Sequence, residues 1–137
     1  MAEQIQFELV SPERLLLSQP VEMVVVPGVE GDFGVLPGHA PMVSSVRPGV
    51  IAVFEGNQVQ QRIFVAGGFA EVTAERCTVL AEQAVLVADM DRAAIEAEIR
   101  GAREDLAEAK DDMARGRLET QIGVAEAKLA ALDNPVY

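Results

Sequence analysis

Gly28, Gly31, Gly34 and Gly38 crowd one stretch of the chain, and a glycine-rich loop of that density is where phosphate chemistry would first be sought. A phosphate-cradling loop needs a lysine after its last glycine, followed by Ser or Thr. No lysine precedes Lys110, so these glycines make turns. His39, the single imidazole, stands between Pro37-Gly38 and Ala40-Pro41 with no second histidine to complete a metal set. It reads as a turn or interface residue. Ser11, Ser18, Ser44 and Ser45 lie in no Gly-x-Ser-x-Gly elbow, so no serine is placed as a nucleophile. Asp89 with Asp91, and Asp111 with Asp112, have the composition of a glycosidase dyad, yet they fall at the ends of helical stretches, where capping and solvation account for them. Cys77 precedes Thr78-Val79-Leu80 in a strand-like run and has only Arg76 as an electropositive neighbour, which suits a small core hydrophobe. The sequence therefore offers no catalytic residue, no cofactor site and no metal site. A small sandwich enzyme of the cupin sort is excluded on the same ground, because its metal needs several histidines.

The elements that would hold such residues divide the chain near Asp89. Residues 1–88 carry 22 Val, Ile or Thr against six in residues 89–137, together with six of the seven prolines and eight of the eleven glycines. β-Branched side chains fit pleated strands, and Pro and Gly between them supply turns. Ile5, Phe7 and Leu9 alternate with Gln4, Gln6 and Glu8, the period of a strand with one dry face. Nine further short runs follow: Leu15–Ser18, Val21–Val26, Gly34–Leu36, Met42–Val46, Val50–Phe54, Val59–Val65, Phe69–Val72, Cys77–Ala81 and Ala84–Val87. Turns are expected at Pro27-Gly28, Pro37-Gly38, Pro48-Gly49, Glu55-Gly56-Asn57 and Gly67-Gly68. About ten short, evenly punctuated strands indicate a sandwich or flattened barrel.

Ala then takes over, with 11 in the last 49 residues. Ile95, Ile99, Ala102, Leu106, Ala109 and Met113 step by four and three, and so do Leu118, Ile122, Ala125, Leu129 and Leu132. The seam breaks between Met113 and Leu118, around Ala114-Arg115-Gly116-Arg117, so two antiparallel helices joined by a tight turn are expected there. Asp89 or Asp91 would cap the first helix and the Pro135 region would close the second. Opposite charges spaced by four, Glu96, Arg100 and Glu104, then Asp111, Arg115 and Glu119, read as solvated faces. The expected organisation is thus a β-sandwich domain over residues 1–88 and a helical hairpin domain over residues 89–137. With few large apolar side chains, and with Gly101 and Gly123 inside its helices, the hairpin needs a surface to dock on.

A polypeptide of 137 residues, half of them hydrophobic, can bury a real core. Its 22 acidic and 11 basic residues give a net charge of −11, which repels nucleic-acid backbones and anionic lipid. One cysteine excludes an internal disulfide. No apolar run approaches the ~20 residues that span a bilayer, and the N-terminal residues lack a secretory or transit pattern, so membrane contact is expected only through partners.

One segment exceeds a plain connection: Pro27-Gly28-Val29-Glu30-Gly31-Asp32-Phe33-Gly34-Val35-Leu36-Pro37-Gly38-His39-Ala40-Pro41. Followed by Val46-Arg47-Pro48-Gly49-Val50 and by Phe64-Val65-Ala66-Gly67-Gly68-Phe69-Ala70-Glu71-Val72, it resembles the epsilon subunit of bacterial F-type ATP synthase, and the resemblance runs through Thr78-Val79-Leu80-Ala81 to the terminal helical pair. It implies a ten-stranded sandwich with a C-terminal helical hairpin. It also implies a non-catalytic rotor subunit of the proton-translocating central stalk, without cofactor, coupling c-ring rotation through the gamma subunit to ATP synthesis. The implied location is peripheral, on the cytoplasmic face of the bacterial inner membrane. By position in the motif, Glu30, Gly31 and Asp32 match the acidic loop that meets the c ring, and Gly38, His39 and Ser44 match the region facing gamma. The hairpin would be able to restrain ATP hydrolysis by reaching the alpha and beta subunits. In the family's nucleotide motif an arginine follows the aspartate by three residues. Here Met90-Asp91-Arg92-Ala93-Ala94-Ile95 has it one residue on, about 200 degrees round a helix, so nucleotide binding is not expected. Basic residues are sparse in the second helix, which points to feeble inhibition. The competing reading is a free-standing β-sandwich binding module that dimerises through a coiled-coil tail.

Overall fold

The computed structural model describes residues 3–133. Ten strands come first: β1 Ile5–Val10, β2 Leu15–Val21, β3 Met23–Gly28, β4 Gly31–Val35, β5 Met42–Ser45, β6 Gly49–Glu55, β7 Gln58–Ala66, β8 Phe69–Val72, β9 Arg76–Leu80 and β10 Gln83–Leu86. A 3-10 turn over Val87–Asp89 leads to two helices, α1 Arg92–Glu108 and α2 Asp112–Asp133. The strands build two five-stranded sheets, β2-β1-β9-β8-β5 and β10-β7-β6-β3-β4. All neighbours are antiparallel except β1 and β9, which run parallel from Gln6 opposite Arg76 to Val10 opposite Leu80. Inward residues of both sheets form one core, with Ile5, Phe7, Val24, Val26, Ile51 and Val65 sealed from solvent. The mainly β sandwich followed by an α-helical hairpin is the architecture that the composition shift implies. The molecule falls into two compact units, one ending at Ala88 and the other beginning at Asp89.

Several boundaries differ from the sequence reading for identifiable reasons. β2 runs through Pro20 to Val21, because it is an edge strand and the missing N–H of proline costs no ladder bond on an open edge. Pro27-Gly28 is not a turn but the end of β3, which has already left β6 after Val25 and no longer needs that donor. The turn is Val29-Glu30, and β4 starts at Gly31, earlier than expected. The expected turn at Gly56-Asn57 stands: both residues have positive φ, 58° and 66°, the two-residue hairpin geometry that matches strand twist.

The helical turn lies earlier than the sequence seam suggests. α1 stops at Glu108, Ala109 to Asp111 cross over, and Ala114-Arg115-Gly116-Arg117 are helical. Asp111 decides this, since its carboxylate accepts the Ala114 N–H at 2.7 Å and its carbonyl accepts the Arg115 N–H at 3.1 Å. Met113 is consequently no seam residue and is 79% exposed. At the other end Asp91, not Asp89, caps α1, accepting from Ala93 and Ala94 at 3.0 and 3.3 Å. Pro135 lies outside the described residues. Between the helices Ile95, Ile99 and Ala125 are buried with Met90, Leu129 and Leu132 against them. Arg92 pairs with Asp133, Arg103 with Glu126 at 3.6 Å, and Gln121 donates to Glu98 at 3.1 Å. Ile95, Ile99 and Ala125 of the apolar seam are spent inside the hairpin. A tail that zips two copies together through the same residues has nothing left to offer.

Candidate functional site

The β3–β4 turn is a short hairpin whose closing pair is Gly28 opposite Gly31, with Val29 and Glu30 at the tip. It does not stand alone. Val29 N–H donates to the Ser45 carbonyl at 3.0 Å, Gly28 forms a bridge with Val46, and Arg47 N–H donates to the Pro27 carbonyl at 2.9 Å. The end of β5 in one sheet is thereby laced to the end of β3 in the other. The Arg47 guanidinium reaches across the same corner, donating to the Gly28 carbonyl and to Asp32 Oδ1, each at 2.5 Å. Glu30 is exposed, and among the described residues nothing engages its carboxylate.

Gly38 and His39 belong to the connection between β4 and β5. His39 N–H donates to the Leu36 carbonyl at 3.1 Å, and Gly38 has φ 84° with Pro37 before it, the geometry of a type II turn. Gly38 N–H donates to the Ala74 carbonyl at 2.8 Å, tying this turn to the β8–β9 connection. Imidazole Nδ1 lies 2.7 Å from the Ala40 carbonyl and, facing an acceptor, carries the proton. Ser44 pairs with Ala70 on the half-buried side of β5, while Val43 and Ser45 point outward. The sequence-derived residues are therefore not one cluster. Glu30, Gly31 and Asp32 sit past the C-terminal end of β5 and Gly38 and His39 before its N-terminal end, a strand of about 13 Å between them.

Sequence reasoning missed what lies on the outer face of the β2-β1-β9-β8-β5 sheet. Register places Leu15, Val10, Leu80 and Phe69 in one row across four strands. Leu15 is 55%, Phe69 42% and Leu80 36% exposed, and Val43 on β5 reaches 67%. The row ends beside Ser45, at the corner that carries the Glu30 turn. Alternation along β8 and β9 shows that two faces exist, but apolar residues occupy both, so period alone does not say which face is solvent-exposed.

Reactive groups are not gathered together among the described residues. Cys77 is fully buried, and that burial pushes its thiol up to about 12, far from a nucleophile at neutral pH. Among the described residues no group of three or more His, Cys, Asp or Glu is placed to hold a metal ion. A shallow groove between α1 and α2 is lined by Glu96, Ile99, Arg100, Arg103, Glu126 and Leu129, and the Arg103–Glu126 pair lies within that lining. No described helix is long and apolar enough to cross a membrane. What the arrangement can do is present stiff turns and an apolar sheet face to other proteins.

Comparison with known proteins adds the following. Residues 4–87 match the family model of the beta-sandwich domain of the ATP synthase delta/epsilon chain, and residues 91–135 match that of the C-terminal domain of the ATP synthase epsilon chain. A protein of Rhodospirillum rubrum named ATP synthase epsilon chain is 56% identical over 131 residues, covering 96% of the present sequence and 98% of its own. One of Rhodospirillum centenum with the same name is 58% identical over 134 residues, covering 94% and 92%. Among solved structures, a subunit in the OSCP/F1/c-ring part of the Euglena gracilis mitochondrial ATP synthase superposes with a TM-score of 0.80 at 27% identity, over 96% of the present protein and 83% of that one. A subunit of the Tetrahymena thermophila mitochondrial central stalk and c-ring shares the fold, with a TM-score of 0.59 at 14% identity over 96% and 98%.

Proposed function

The chain belongs to the ATP synthase epsilon chain family, and from that membership we propose the contacts through which it works. It is a non-catalytic central-stalk subunit of the proton-transporting ATP synthase, a membrane-associated complex, and it works by binding other subunits of that complex. Its sandwich binds the gamma subunit and rests on the c ring, so that ring rotation turns the stalk and drives ATP synthesis in the F1 head. The Glu30-Gly31-Asp32 turn faces the polar loops of the c ring. Gly38, His39 and Ser44 belong to the side facing gamma. The complex holds this subunit at the cytoplasmic face of the bacterial inner membrane. The hairpin is the part able to reach the alpha and beta subunits and restrain hydrolysis.

The observation that supports this reading most is the apolar row Leu15, Val10, Leu80 and Phe69 ending at the acidic corner. Large apolar side chains left in water on a rigid sheet suit a lasting interface, because removing them from water supplies about 25 cal/mol per Å². Exposed ion pairs at the acidic turn add only about 0–1 kcal/mol each and set orientation instead. The test is titration of purified gamma with the full-length protein and with Phe69→Ser and Leu80→Ser variants whose circular dichroism is unchanged. Loss of at least about tenfold in affinity is expected for a buried aromatic anchor. The apolar face is assigned to gamma on this reading, and unchanged affinity in both variants refutes that assignment.

A further inference from the structure

Two acidic side chains belong to the β3–β4 hairpin, Glu30 at its tip and Asp32 on β4, and the structure treats them differently. Asp32 is paired with Arg47 at 2.5 Å and its side chain is 30% exposed. Glu30, at the tip, is exposed and its carboxylate engages nothing among the described residues. Arg47 uses one terminal nitrogen for Asp32 Oδ1 on β4 and the other for the Gly28 carbonyl on β3. A planar guanidinium is suited to this, because its two N–H groups are fixed relative to each other and clamp both strands of the hairpin at once. Its own backbone N–H is committed to Pro27, so the clamp is anchored in the sheet and not in a free loop.

We propose that Arg47 is a positioning residue: with Asp32 as its anchor it fixes the Val29–Glu30 tip, so that Glu30 alone presents a negative charge to the partner. This deepens the reading that the turn meets the c ring, and rests on it. Asp32 then acts inside the subunit, neutralised by Arg47, and takes no part in partner contact. A lysine in place of Arg47 keeps the charge but offers a point contact, which reaches Asp32 or the Gly28 carbonyl and not both.

Two measurements on the full-length protein test this. The first is amide hydrogen exchange over residues 29–32. Arg47→Ala should speed it about three- to tenfold, the range that loss of a net hydrogen bond gives, with Arg47→Lys between Ala and wild type. The second is binding to the F1–c-ring assembly stripped of this subunit. Glu30→Gln should weaken binding and flatten its salt dependence. Arg47→Ala should weaken binding when Glu30 is present and have no further effect on Glu30→Gln. Unchanged exchange in Arg47→Ala overturns the proposal, and so does further weakening of binding by Asp32→Asn in the Glu30→Gln background, since Asp32 would then meet the partner itself. Failure of the unaltered protein to bind would refute the c-ring reading, while the exchange data still decide the role of Arg47.

Discussion

The carboxyls of Glu22 and Glu55 meet beside the β6–β7 hairpin, where Glu22 also accepts the Gly56 N–H at 3.3 Å. A hydrogen bond that the protonated Glu55 carboxyl donates to Glu22, with smaller contributions from desolvation and from the Glu22 charge, holds the Glu55 carboxyl above its ordinary value of 4.5. A carboxyl that keeps its proton longer in the fold than in the open chain stabilises the fold below the ordinary value. That contribution is lost as pH rises through the raised value. Above the raised value that hydrogen bond is gone and the Glu22 charge opposes ionised Glu55. Glu22→Gln should therefore raise the melting temperature at pH 7 and give no gain near pH 4, in scans of both proteins at both pH values. An equal gain at the two pH values would assign the effect to something other than repulsion. Residue identity alone did not show this pair, because 33 positions separate its members and only the register of β3 against β6, Met23 opposite Phe54, brings them together. The acidic turn was legible for the opposite reason: its residues are consecutive, and Pro and Gly mark it. The Arg47 clamp was not, since Arg47 reads in sequence only as part of a turn before Gly49.

At the scale of elements, the limits of the sequence follow from what decides each boundary. Strands with a clean period, such as β1 with Ile5, Phe7 and Leu9 inward, fall where the alternation puts them. Strands containing Pro20 or Pro27 extend past it, because whether a proline is tolerated depends on whether a neighbour needs its N–H: β2 is an edge strand, and β3 has left β6 after Val25. The helical turn was misplaced because Gly116 and the broken seam pointed one way and Asp111 another, and a cap that accepts a backbone N–H outweighs one exposed glycine. Replacing Asp111 by Ala should accordingly cost the hairpin about 1 kcal/mol and fray the start of α2. The check is a lower helical melting midpoint by circular dichroism, with exchange accelerated at Ala114 and Arg115 but not in β1–β10. If Asp111→Ala leaves those amides unchanged, the cap is not what sets the turn.

For the whole molecule, the chain divides after Ala88 into two compact units. Arg92 and Arg103 of the hairpin are engaged with Asp133 and Glu126, and beyond Arg117 the second helix has Lys128 as its one basic residue, which is the ground for expecting a feeble brake. A polypeptide stopped after Val87 should thus raise the ATPase rate of the assembled complex by less than about twofold, under ~0.4 kcal/mol of restraint at RT ≈ 0.59 kcal/mol. A several-fold rise on truncation would show a strong brake. The parallel pairing of β1 with β9 has a different consequence, for how the molecule is made. The first strand, starting at Ile5, lies between β2 and a strand that does not begin until Arg76. Until the ribosome has released that stretch, the first hairpin presents an unpaired edge able to join any other nascent strand. Folding of the sandwich is on this account held back until nearly all of it has been synthesised. Cells that make the protein faster than this edge can be closed should recover it as aggregate.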